Sequence, residues 1–170
     1  MISEAKAFVL SQLAATGIPA GDCFGSPRGG TKHRACPKAW IDANAEDATR
    51  NKRLSGTYKD GDQVKLRRQY FTRELYLVVR LEDIDLATLE ARYEDFLRRL
   101  VKTHVHDAMD NHIHVTVGRV EWYEPEKVAS DEAGVSVVLQ FDGGIYEDED
   151  ALKVSQVEVA PDGLHAKEDL

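Results

Sequence analysis

Four histidines fall within eleven residues, at His104, His106, His112 and His114, with Asp107 and Asp110 between them. Two His-x-His pairs flanking two carboxylates offer enough ligands for zinc or another divalent cation. On a strand, His112 and His114 point the same way, as a chelating pair must. His104 and His106 fall at the end of a helical pattern, where i,i+2 spacing separates them by about 200°. They converge only if the chain there is extended. The plainer reading is that His112 and His114 fill the polar face of an amphipathic strand. His104 then sits near a helix C-terminus, where its charge is favourable. The spacings match no closed ligand pattern, so no metal or other cofactor is expected, and the four histidines stand as candidates only.

Other reactive types are sparse. Cys23 and Cys36 lie 13 apart in a glycine-rich stretch near His33, with no Cys-x-x-Cys knuckle for zinc. They read as two reduced thiols of a protein assembled in the cytoplasm, with a loop-closing disulfide as the alternative. Gly25-Ser26-Pro27-Arg28-Gly29-Gly30-Thr31-Lys32 lacks the order of a phosphate-binding loop and reads as a turn. Asp142-Gly143-Gly144 ends a strand pattern with no helix after it, which argues against a dinucleotide site. Glu147-Asp148-Glu149-Asp150 could hold calcium but reads better as a solvated end. There is no serine elbow, His-Glu-x-x-His helix or carboxylate pair, so enzyme chemistry is not expected.

Composition narrows the class further. The 170 residues are 42% apolar and 31% charged, enough for one packed domain spanning 1–170. No run of about 18 uncharged apolar residues could span a membrane, and no basic flank precedes an apolar stretch as in a secretory signal. The net charge of −8 is unevenly placed: residues 28–80 carry +7 and residues 121–170 carry −11. Such halves are either two solvated faces or a self-complementary pair, one copy's basic segment meeting a neighbour's acidic end.

Periodicity places these residues on elements. A helix is expected over about 3–16, capped by Ser3, with Ala7, Phe8, Leu10, Leu13 and Ala14 recurring, and ended by Gly17-Ile18-Pro19. A short strand over Pro37–Ala43 is anchored by Trp40. Residues 44–68 lack an apolar period and read as a long mobile loop between the first two strands. Leu75, Leu77, Val79 and Leu81 share one face of the strongest strand. Asp83 or Asp85 then caps a helix carrying Leu86, Leu89, Tyr93, Phe96, Leu97, Leu100 and Val101, with Glu94 and Arg98 paired on its wet side. A strand over 112–124 changes phase at Gly118, as a bulge would. After a turn around Pro125–Gly134, Val135, Val137, Leu139 and Phe141 alternate until Gly143-Gly144 breaks the strand. A weak strand over 154–159 precedes a polar, frayed end from about 160. The order predicts an α+β, sandwich-like fold: a mostly antiparallel or mixed sheet with helices packed on one face.

The words Phe71-Thr72-Arg73-Glu74-Leu75-Tyr76-Leu77-Val78-Val79-Arg80-Leu81, the helix Leu86–Val101, the strand His112–Glu124 and Val135-Ser136-Val137-Val138-Leu139-Gln140-Phe141-Asp142-Gly143-Gly144-Ile145-Tyr146 carry a family resemblance. This segment, Arg68 to Asp148, resembles the tail terminator (tail completion) proteins of tailed bacteriophages and related prophage particles. By element order the likeness takes in the N-terminal helix as well.

The resemblance implies a structural virion protein with an α/β fold, a sheet flanked by helices, and no catalytic residues. It implies a ring, usually hexameric, on the last tail-tube ring, which stops polymerisation and presents a surface for the head or neck. The implied partners are other copies of itself, the tail tube protein, a neck, head-completion or connector protein, and a sheath where one exists. Genomic DNA would pass through the lumen without sequence recognition, and no membrane is involved. The implied place is the head–tail junction of the virion, after assembly in the host bacterial cytoplasm. A closed ring needs one patch to meet a different patch on the next copy. Arg50, Lys52, Arg53, Lys65, Arg67 and Arg68 are the candidates for contact with a neighbouring subunit, the tube or the DNA. Two alternatives stand beside this one: a metal-binding enzyme built on His104–His114, and a small adaptor that binds nucleic acid through its basic segment.

Overall fold

The computed structural model describes residues 1–26, 35–124, 132–151, 156–160 and 163–167. The turn expected at Gly25–Lys32 and that at Pro125–Gly134 lie for the most part outside the described residues. The chain divides into two compact units, one of Met1–Thr49 with Thr72–Gly144 and one of Arg50–Phe71 with Ile145–Leu170.

In the first unit, α1 spans Ile2–Ala15 and buries Ala5, Val9 and Leu13, spaced four apart along one stripe. Phe8 and Leu10, taken from sequence as part of the main apolar face, only flank it. Ser3 does not cap this helix. Met1 holds the cap position, and the Ser3 hydroxyl donates to Glu4 inside the first turn. The helix ends as expected: Gly17 takes φ +88°, which an L side chain rarely adopts, and its amide donates to the Ala14 carbonyl.

α2 spans Leu86–Lys102 and turns Leu89, Tyr93, Phe96 and Leu100 inward. Asp85 is its cap, accepting from the Thr88 amide at 2.8 Å and the Thr88 hydroxyl at 2.8 Å. Leu86 and Val101 remain exposed, because they lie at the two ends, beyond the stripe that meets the core. The Glu94–Arg98 pair forms as expected.

Six strands make one sheet in the order β1-β2-β3-β6-β5-β4. They are β1 (Cys23–Phe24), β2 (Lys38–Asp60), β3 (Gln63–Asp83), β4 (Val105–His106), β5 (His112–Tyr123) and β6 (Ala133–Asp150). β1 runs parallel to β2, whereas β4–β5 and β5–β6 are antiparallel, so the sheet is mixed. The fold class is α+β, as expected. Leu75, Leu77, Val79 and Leu81 from β3 and Val135, Val137, Leu139 and Phe141 from β6 are all fully buried and form one core with the helices. Burying each such Leu or Phe stabilises the fold by roughly 1.5–3 kcal/mol. The phase change at Gly118 is a true bulge: Val117 faces Leu139, but Val120 faces Val137.

Two readings of this sheet need correction. Residues 44–68 are not a loop, because β2 continues to Asp60 and β3 begins at Gln63. Gly143-Gly144 does not end β6, which continues to Asp150. Here glycine serves close approach, since a Cβ on Gly143 would meet the Met1 sulfur at 2.8 Å.

The second unit contains the remaining lengths of these three strands. Arg50–Asp60 and Gln63–Phe71 form a hairpin closed by Gly61-Asp62, with Gly61 at φ +61°, the conformation a two-residue hairpin turn demands. The Ala151 amide donates to the Val64 carbonyl at 2.9 Å, so the end of β6 lies beside β3 here. A separate antiparallel hairpin joins β7 (Gln156–Ala160) to β8 (Gly163–Lys167). β7 matches the weak strand expected there, whereas β8 replaces part of the expected frayed end.

Candidate assembly interface

All six basic candidates lie in the second unit, Arg50, Lys52 and Arg53 on β2 and Lys65, Arg67 and Arg68 on β3. Residues 50–71 carry +5 and residues 145–170 carry −6, so the unit nearly neutralises itself. The neutralisation is contact by contact. Arg67 places Nε 2.8 Å and Nη2 3.0 Å from the two carboxylate oxygens of Asp148. Lys65 Nζ lies 2.5 Å from Asp150, and Arg68 Nε lies 2.6 Å from Glu149. Strand alternation sorts them: Lys65 and Arg67 share one face with Asp148 and Asp150, while Arg68 and Glu149 share the other.

Two tyrosines complete the ladder. The Tyr58 hydroxyl donates to Asp148 at 2.9 Å, and the Arg67 guanidinium stacks 5.1 Å from that ring's centre. On the opposite face the Tyr70 hydroxyl donates to Glu149 at 2.7 Å, and Lys52 lies 5.5 Å from the Tyr70 ring centre. Arg53 Nε donates to the buried side chain of Gln69 at 2.7 Å. Arg50 is exposed and forms no ion pair among the described residues.

These contacts set the electrostatics. Hydrogen bonds from Arg67 hold the Asp148 carboxyl below the usual carboxylate range, with the Tyr58 hydroxyl assisting. For Glu149 the Tyr70 hydroxyl is the larger cause and Arg68 the second. In return, Asp150 raises the Lys65 ammonium, and Asp148 raises the Tyr58 phenol.

The sequence reading placed the basic residues together but missed their partners. Glu147–Asp150 is not merely a solvated end: its last three carboxylates accept the cations of β3. The available signal was the matched i,i+2 spacing of Lys65-x-Arg67 and Asp148-x-Asp150. The charge complementarity that one of the two readings placed between copies is met inside this unit of one chain.

The unit has another property that charge does not supply. No residue of 50–71 or 145–151 joins the apolar core. Leu54 (54% exposed), Val64 (43%) and Ile145 (46%) remain open instead. β2 pairs with β1 only at Ala39 and Trp40, so among the described residues its outer edge from Ile41 onward has no strand beside it. At the other end of the sheet, β4 covers β5 only at His112 and Ile113.

The remaining candidates lie in the first unit. Val105 faces Ile113 and His106 faces His112 across β4–β5, so extended backbone gathers the histidines. All four are exposed, and His104 Nδ1 lies 3.2 Å from His112 Nε2. No group of three metal-binding side chains is gathered among the described residues as they stand. Cys23 and Cys36 are free thiols, each pushed up to about 11 chiefly by burial, so neither is an activated nucleophile. A buried ion pair joins Lys38 to Glu82 at 2.8 Å, and Tyr123 donates to the same carboxylate at 3.1 Å. Burial first, then Glu82, raises the Tyr123 phenol. No helix among the described residues is long and apolar enough to cross a membrane.

No protein-family model and no curated protein matches the chain. Among solved structures, a chain of the virion of a native gene transfer agent particle is similar at a TM-score of 0.45 and 12% identity, over 82% of this chain and 94% of that chain.

Proposed function

We propose that this chain is a structural virion protein that assembles, six copies to a ring, on the end of a phage tail tube. There it stops tube growth and offers the surface to which the head or neck joins. It acts by fit between chains and carries out no turnover. The observation that carries this reading is the second unit. Over 50–71 and 145–151 it has lengths of three strands, no residue in the apolar core, exposed Leu54, Val64 and Ile145, and an open strand edge along β2. Strands without an apolar face to bury are marginal alone in water. A long open edge invites another chain. The open edges of β2 and β5 are different surfaces, so edge contacts between copies would be heterologous, the kind that closes a ring. The likeness of the segment from Arg68 to Asp148 to tail terminator proteins supports reading that ring as the cap of a tail tube.

Intramolecular pairing of Lys65, Arg67 and Arg68 removes half of the basic set from a phosphate-binding role. Arg50, Lys52 and Arg53 on β2 remain the contact candidates. The test is electron microscopy of particles made without this protein. Tubes of uncontrolled length are expected, and tails of normal length joined to heads would end the proposal.

A further inference from the structure

We propose that the histidine face of β4–β5 is a binding site for one divalent transition-metal cation, with His104 and His112 as its primary ligands and His106 as the third. This site is independent of the assembly role. Antiparallel pairing turns Val105 and Ile113 into the core and leaves His106 and His112 opposed on the solvent side. His112 is the hub: its ring centre lies 5.3 Å from that of His104, 5.7 Å from His106 and 6.5 Å from His114.

The distance that decides is His104 Nδ1 to His112 Nε2, 3.2 Å. Tetrahedral zinc with ligand bonds of about 2.0–2.1 Å sets neighbouring nitrogens about 3.3–3.4 Å apart. Without a cation, one proton between these nitrogens keeps the rings together. On cation binding the shared proton moves to the outward nitrogen of the ring that donated it, so both rings stay neutral and each gives the cation the lone pair of its inward nitrogen.

The connection between the two strands is firmly held, so the pair is presented on a fixed scaffold. The Asp107 carboxylate accepts from the Met109 amide, the Asn111 amide and the Asn111 side chain, at 2.8–3.1 Å. Asp107 is thereby committed to the turn. Asp110, at φ +61°, sets a carboxylate oxygen 3.8 Å from His106 Nδ1. A carboxylate at that nitrogen orients the ring so that Nε2 faces the cation. Two donors already converge. The exposed ring of His106 reaches the cation by side-chain rotation, and water fills the remaining position.

The experiment titrates the full chain with Zn²⁺ against a chromophoric chelator at neutral pH. One Zn²⁺ per chain is expected. His112→Ala is expected to weaken binding by at least about tenfold, and His104→Ala comparably. His165→Ala should leave it unchanged. In the unmutated protein, NMR should show the His104 and His112 imidazole signals moving together on Zn²⁺ addition, a readout that does not depend on any variant folding. Absence of stoichiometric Zn²⁺, equal loss in His112→Ala and His165→Ala, or imidazole shifts confined to other histidines would overturn the site.

Discussion

Arg67 and Asp148, 81 residues apart, meet through two hydrogen bonds and join the most basic stretch of the chain to its most acidic. That contact holds the Asp148 carboxyl below the usual carboxylate range, so replacing Arg67 by Gln should raise its titration midpoint toward that range. The sign follows from the lowered folded-state value. The contact stabilises the second unit above the usual carboxylate range, and that contribution is lost as the pH falls through the depressed value. Carboxyl-carbon NMR titration measures it. A midpoint indifferent to Arg67 would refute the assignment.

Arg92 holds two elements at once, with Nε 2.6 Å from Asp83 and Nη1 2.6 Å from the Thr16 carbonyl at the end of α1. Asp83 is 1% exposed, so removing the guanidinium leaves a buried carboxylate unpaired. Arg92→Ala should cost about 3–5 kcal/mol, read as a lower urea midpoint. A change under about 1 kcal/mol would mean the pair is dispensable.

Gly134 lies beneath the Tyr123 ring, and a Cβ there would come within 2.5 Å of it. Tyr123 is held by Glu82 and stacked by Arg80, so it cannot yield cheaply. Gly134→Ala should destabilise by about 1–3 kcal/mol in thermal unfolding. The smaller ring site in a Gly134→Ala, Tyr123→Leu double variant should recover part of the loss. No loss in the single variant would show that the ring has room to move.

The two thiols should be slow. With each pushed from 9.0 up to about 11, the thiolate fraction at pH 8 falls about a hundredfold below that of an ordinary cysteine. Iodoacetamide labelling of the folded chain should be slower in that proportion and recover in urea. Labelling at the rate of a free thiol would contradict the desolvation that raises both half-buried thiols.

Arg50 should matter between chains and not within one. Arg50→Glu is expected to leave the unfolding midpoint within about 0.5 kcal/mol of the parent, as at most exposed sites. Its effect should appear in particles, as a broadened tail-length distribution. Tails of parental length would remove Arg50 from the contact set.

The first unit was legible because its elements obey apolar periods. Leu89, Tyr93, Phe96 and Leu100 mark α2, the alternation from Leu75 to Leu81 marks β3, and the slip at Gly118 marks the bulge. The second unit was not, because its strands carry like-charged side chains on both faces where strands normally alternate hydrophobicity. A search for apolar alternation finds none over 44–68 and returns a loop. Each strand of this hairpin finds its backbone partner next to it in sequence, but the carboxylates that meet the cations of β3 lie about eighty positions away. The histidine pair was half legible in the same sense. His112 and His114 share a side by strand parity, but His104 meets His112 only because Val105 pairs with Ile113. The six basic residues fall in one unit, and the carboxylates that meet Lys65, Arg67 and Arg68 required the end of β6 to lie beside β3.

Asp148 and Asp150 look one way and Glu149 the other, each to its own cation. A single inserted or deleted residue between Ile145 and Asp150 would flip this parity and point every carboxylate away from its mate. Swapping the signs of a matched pair would preserve the pattern. Evolution can therefore rewrite the letters of this stretch far more freely than its spacing, and divergent versions should differ in charge identity while keeping the same residue count between the core and the ladder.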